Sequence, residues 1–170
     1  MTKRHRRVEI ESSKTKPIDT EPIIRLWLLR MLVTLGANRG FVGSHGFSND
    51  TVASALGLDH WVDLHPDRDD QNIITCELRQ LHQLAEKQWK QSPAPACLVN
   101  NVRRLSDLVG LNSTDCKILE FSLVIQNEHM LEDISDLPGQ LSSIKQAQVL
   151  SVILDLPDSE IRKALSPKGI

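Results

Sequence analysis

The sequence predicts an all-α protein, an irregular multi-helix bundle with helix-turn-helix-like corners. Three observations carry this. Apolar residues recur at helical spacing in most segments, as in Ile74, Leu78, Leu81 and Ala85 with steps of 4, 3 and 4. The segments are bounded by helix-capping residues, Gly and Pro. No segment sustains the apolar/polar alternation of a half-buried strand.

The first element opens at Thr20-Glu21-Pro22, where a hydroxyl can cap and proline's missing N–H costs least. "IIRLWLLRMLVTLG" follows and ends at Gly36. It is apolar on nearly every face, which places it at the centre of a core. It is too short to span a bilayer and carries Arg25 and Arg30 inside it. "GANRGFVGSHGFSND" reads as a Gly-rich loop or tight hairpin turn. A phosphate loop needs Lys and a hydroxyl directly after its last Gly, but Phe47 follows Gly46, so no Walker-type nucleotide site is present.

Ser48 or Asn49 can cap a short helix with Val52, Ala55 and Leu56 on one face. Next comes a loop dense in ionisable groups: Asp59, His60, Asp63, His65, Asp67, Asp69 and Asp70. Such a set could ligate a metal, yet its spacings match no closed zinc pattern and Pro66 prevents a helix from aligning His60 with His65. The preferred reading is an acidic surface loop that serves as a partner-binding surface, with Asp69 and Asp70 capping the next helix. That helix presents the Ile74–Ala85 stripe to a core, and His82 falls on its solvated side.

"QSPAPA" is the clearest break, because two prolines one residue apart cannot continue a helix. It divides the chain into a basic tail (1–18), an N-terminal helical part (19–91) and a C-terminal helical part (96–170), with a hinge at 91–95. The two parts form one domain or two packed sub-bundles. Beyond the hinge, Leu98, Val102, Leu105 and Val109 repeat the 4, 3, 4 spacing of a stripe that faces a core or a partner helix, with Arg103 and Arg104 outward. Gly110 ends this helix, and Asn112 with Asp115 opens the next, "KILEFSLVIQ", as a capping box around a central apolar helix. "EHMLEDISDLPGQ" reads as a short acidic helix closed by Pro138-Gly139, in which His129 and Asp133 pair on the surface at i, i+4. "LSSIKQAQVLSVIL" and "DSEIRKAL" complete the bundle.

Composition limits the function. The chain carries three Trp, three Phe and no Tyr, few rings for a protein that stacks bases. Its formal charge is −2, and residues 1–16, with six Lys and Arg against two Glu, leave −6 on the remainder. A mildly acidic body is a poor match for DNA. The three Cys fit no zinc or disulfide spacing and read as reduced, partly buried thiols of a cytoplasmic protein. None of the three helix-turn-helix-like corners offers a basic second helix. The one after "ALGL" is acidic, the one after "LVGL" is built for burial, and the one after "ILDL" opens with Asp158 and Glu160. Cys116 has no His near it in sequence, so no nucleophile–base pair stands out.

Taken together, "IIRLWLLRMLVTLGANRGF…SNDTVASALGL", "LSDLVGLNSTDCKILEFSLVIQ" and "QAQVLSVILDLPDSEIRKALSPKGI" resemble the helical region ahead of the ATPase module in a group of bacterial AAA-type ATPases, over about residues 21–170. The shared elements are "LxGLxxxxxxILxF" and "LxLxxxxIRxAL". The resemblance implies a non-catalytic, N-terminal protein-interaction or regulatory domain that presents a protein substrate or adaptor to its own ATPase module. Neither Walker motif is present, so no catalytic, metal or cofactor residue is expected here, and ATP would belong to the longer parent. The chain stops at "SPKGI" in mid-turn, as expected of one domain of a longer protein. The alternative is a helical DNA-binding regulator using the basic tail, and no membrane association is expected.

Overall fold

The computed structural model describes residues 21–136 and 143–166. The basic tail, Thr20, Pro138-Gly139 and the last four residues lie outside this range. The described residues form an all-α fold of nine α-helices with one two-stranded hairpin. The helices are α1 (Pro22–Leu29), α2 (Asn38–Phe41), α3 (Asp50–Ala55), α4 (Arg68–Trp89), α5 (Ala96–Val109), α6 (Ser113–Asn127), α7 (His129–Asp136), α8 (Ser143–Leu154) and α9 (Asp158–Ala164). The hairpin strands β1 (Val42–Gly43) and β2 (Gly46–Phe47) are antiparallel, with Val42 opposite Phe47. No described helix is long and apolar enough to cross a membrane.

α1 is the hub. Its Ile23, Ile24, Leu26, Trp27, Leu28 and Leu29 are all buried, as an all-round apolar helix requires. Pro22 opens it at a position where no N–H is needed, while the cap residue, Glu21, makes no side-chain capping bond. α1 runs directly into one π-helical turn, Arg30–Thr34, whose register shows in the Leu35 N–H donating to the Arg30 carbonyl five residues back at 3.1 Å. α4 packs along α1 and contributes Ile74, Leu78 and Ala85 to the core. From beyond residues 91–95 come Phe121, Val124, Leu131, Ile134, Ile153 and Ile161, all within the same continuous apolar cluster. Trp27 meets Phe121 edge to face, with ring centroids 5.1 Å apart and planes at 86°. The segments on either side of residues 91–95 therefore share one core.

Helix starts follow short-range chemistry. The Asn49 side chain accepts from the Val52 N–H at 3.0 Å, and its amide donates to Asp133 at 2.6 Å, tying α3 to α7. α4 begins at Asp67: its carboxylate accepts from the N–H groups of Asp69 and Asp70, and Asp70 returns a bond to the Asp67 N–H. The cap is thus Asp67, not Asp69 or Asp70, because a cap must precede the first helical residue. Asn112 and Asp115 make the same reciprocal pair at the start of α6, and Gly110 ends α5 in the left-handed region at φ 74°. Asn112→Ala removes the oxygen that receives two amides and is expected to lower stability by about 1 kcal/mol, read as a reduced denaturant midpoint at unchanged slope.

The burial of α5 departs from the expected stripe. Val102 is buried and Leu98 partly so, but Leu105 and Val109 are exposed and Leu108 is 82% exposed. Among the described residues α5 packs chiefly on α6, and its last turn is left uncovered by them. Among the cysteines, Cys76 and Cys97 are exposed and only Cys116 is partly covered.

Candidate functional site

An arginine inside an apolar helix must find an acceptor or unfold the helix. Arg30, 4% exposed, finds two. Its Nε and Nη2 donate to the two carboxylate oxygens of Glu86 on α4, at 2.6 and 2.9 Å, in the bidentate fork that guanidinium geometry favours. Its Nη1 donates at 2.5 Å to the carbonyl of Ile153, next to the end of α8. His82, one turn before Glu86, approaches the same carboxylate at 3.2 Å. The Arg30 hydrogen bond is the largest influence on Glu86 and holds its carboxyl below the ordinary value of 4.5. Partial burial opposes this, and the charges of Arg30 and His82 reinforce it. His82 is therefore not a solvated residue: its side chain is only 17% exposed because it stands against this ion pair.

Beside Arg30 lies a cavity of about 410 Å³ between α1, the 90–94 segment, α6 and the end of α8. Ile23, Trp27, Ala94 and Leu154 supply apolar wall; Arg30, Lys90, Lys117, Glu120 and Asp155 supply charge. The Pro-stiffened segment forms one rim, so the break at "QSPAPA" shapes a concave surface as well as ending α4. Lys90 pairs with Asp155 at 2.6 Å across that rim. Asp155 holds a left-handed backbone, φ 53°, a conformation that Asp tolerates better than most residues. Glu120 is half-buried, and burial raises its carboxyl above the ordinary range against the opposing charge of Lys117. A second, more open groove lies on the other side of Arg30, along Thr34, Glu86, Ser151 and Pro157.

The acidic loop is organised differently from a ligand cluster. Asp59, His60 and Trp61 form one 3₁₀ turn, and His60 approaches Glu77 of α4 at 3.3 Å. The Trp61 indole N–H donates to the same Glu77 oxygen at 2.9 Å. His65 instead lies edge-on to His45 of the hairpin turn, with ring centroids 6.3 Å apart. Asp63 takes a left-handed backbone, φ 67°. Asp67 and Asp70 spend their carboxylates on the start of α4, and Asp69 gives its N–H there. The two histidines thus have separate partners. Among the described residues no three His, Cys, Asp or Glu side chains form a metal-holding group. His129 stands 3.6 Å from Glu132 at i, i+3, while Asp133 turns to Asn49, so the expected His129–Asp133 pair is replaced.

The charges that do converge share no local pattern in the sequence. Arg30, Glu86, Lys90, Lys117, Glu120 and Asp155 come from five segments, up to 125 residues apart by their numbering. One signal was available: an arginine in an all-apolar helix demands a carboxylate elsewhere, and Glu86 with His82 at i−4 was a candidate. No protein-family model, no curated protein and no solved structure matches the chain.

Proposed function

We propose that the chain is a non-catalytic interaction domain of an AAA-type ATPase, which docks on its own ATPase module and relays a protein substrate or adaptor to it. The observation that carries this reading is the bare apolar end of α5. Leu105, Leu108 and Val109 are exposed, whereas most of the described large aliphatic residues are at least half-buried. Covering Leu108 alone is worth roughly 1.5–3 kcal/mol. Arg103 and Arg104, also exposed on α5, give the patch a basic rim, suited to an apolar face edged with acids.

The module is the favoured occupant because of where α9 runs. Thr114, just past the α5–α6 corner, donates to Glu160 of α9 at 3.0 Å, and Lys163 and Ala164 line a hollow with Asn112 and Ser113. Leu165, next in the chain, is again exposed. In the family that the sequence resembles, the ATPase module follows this last helix, so it would begin beside the bare corner. The acidic loop at 59–70 is the proposed face for the substrate or adaptor, since its outward carboxylates suit a basic segment.

In the longer protein, amides of residues 104–111 are expected to exchange about tenfold more slowly than in this chain alone. Leu108→Glu should abolish the difference. Equal exchange in both proteins overturns the docking. A reading frame that encodes no Walker A motif beyond residue 170 overturns the ATPase link.

A further inference from the structure

We propose that the cavity beside Arg30 binds a small zwitterion, an α-amino acid with an apolar side chain. Most of its charges already have partners: Arg30 is held by Glu86, and Lys90 by Asp155. Two remain. Glu120 is half-buried on α6, and no described group donates a hydrogen bond to its carboxylate. Lys117, three residues earlier on the same wall, makes no hydrogen bond or salt bridge with any described residue, although its charge acts on Glu120.

A half-buried carboxylate without a protein donor carries a partial desolvation cost, while its oxygens stay open to water or a ligand. A ligand ammonium would meet it. At i, i+3 spacing the two α6 side chains stand about 5–6 Å apart at Cβ, close enough to address both ends of one amino acid. Lys117 would take the ligand carboxylate, and Arg30, with three of its five N–H donors in use, has two left to assist. Ile23, Trp27 and Leu154 give an apolar wall for the side chain. The volume of about 410 Å³ lies within the range of small-molecule sites. A phosphate dianion fits less well, because Glu120 and Asp155 would both face it.

The test is calorimetric titration of the chain with L-leucine and L-phenylalanine, alongside N-acetyl-L-leucine and L-leucinamide. At least one free amino acid is expected to bind saturably, with Kd in the range of about 0.01–1 mM. Blocking the ammonium or the carboxylate should each weaken binding at least tenfold. Glu120→Gln and Lys117→Gln should do the same at an unchanged melting temperature, and the exposed Lys117 site serves if Glu120→Gln proves unstable. The absence of saturable binding by either free amino acid overturns the proposal. So does equal affinity in both variants, or leucinamide that binds as tightly as leucine.

Discussion

Glu86→Ala is expected to lower the unfolding free energy by about 2–4 kcal/mol, measured by urea denaturation near neutral pH. The change leaves the Arg30 guanidinium almost wholly buried with only the Ile153 carbonyl to receive it. A stranded buried charge costs more than a lost hydrogen bond, which sets the lower end of the range. The Glu86 side chain is itself about 30% exposed, so water enters once it is removed and holds the loss below that of a fully enclosed pair. Adding Arg30→Met should return part of the loss, because it takes away the charge that has nowhere to go. A double variant as unstable as the sum of the two singles would show that they do not act as a pair.

The same carboxyl gives stability a pH dependence. Arg30 lowers the folded-state pKa of Glu86 below 4.5, so the native state holds the ionised form more tightly than the unfolded chain does. Its contribution is complete above the unfolded value and is lost as pH falls through the folded one. The wild type should therefore lose stability on acidification below about pH 4.5, and Glu86→Gln should lose less over the same interval. Parallel curves for the two proteins would remove Glu86 from the acid response.

Trp27→Ala is expected to cost about 3–5 kcal/mol, a large part of the 5–15 kcal/mol typical of a domain this size. Trp27 is 5% exposed and its indole meets Phe121 from beyond residues 91–95. Because the apolar cluster is continuous across residues 91–95, the loss should appear as one cooperative transition shifted as a whole. Helical circular dichroism and the fluorescence of Trp61 and Trp89 should then report the same midpoint. Two separated transitions would show that the two sides fold independently.

Helix boundaries were the most legible part of this molecule, because they depend on groups a few residues apart. Pro22, Asn49, Gly110 and the Asn112–Asp115 box lie where the sequence suggests. The cap of α4 lies two to three residues before the expected Asp69 and Asp70, because three Asp compete for one role. The period of α5 predicts a partner for Leu105 and Val109 but not whether that partner belongs to the same chain, and among the described residues none covers them. The acidic loop drew attention through density of ionisable groups, yet density is not convergence. His60 and His65 sit five residues apart and turn to Glu77 and His45. The Arg30–Glu86 pair and the cavity depend on how α1, α4, α6 and α8 cross, which no local pattern encodes.

The π-helical turn at Arg30–Thr34 changes how the first helix is to be compared with others. A π turn holds one residue more than an α turn, which advances everything after it by roughly 100° around the axis. Residues 22–29 and those beyond the turn therefore obey two wheels out of phase, and a single wheel drawn through "IIRLWLLRMLVTLG" sets its last residues on the wrong side. Alignment with a chain that lacks the added residue must open a one-residue gap inside the helix. Without that gap, the positions after the turn, from Leu35 on, fall about 100° from their true face, while Arg30, whose N–H still reaches the Leu26 carbonyl, keeps the register of α1.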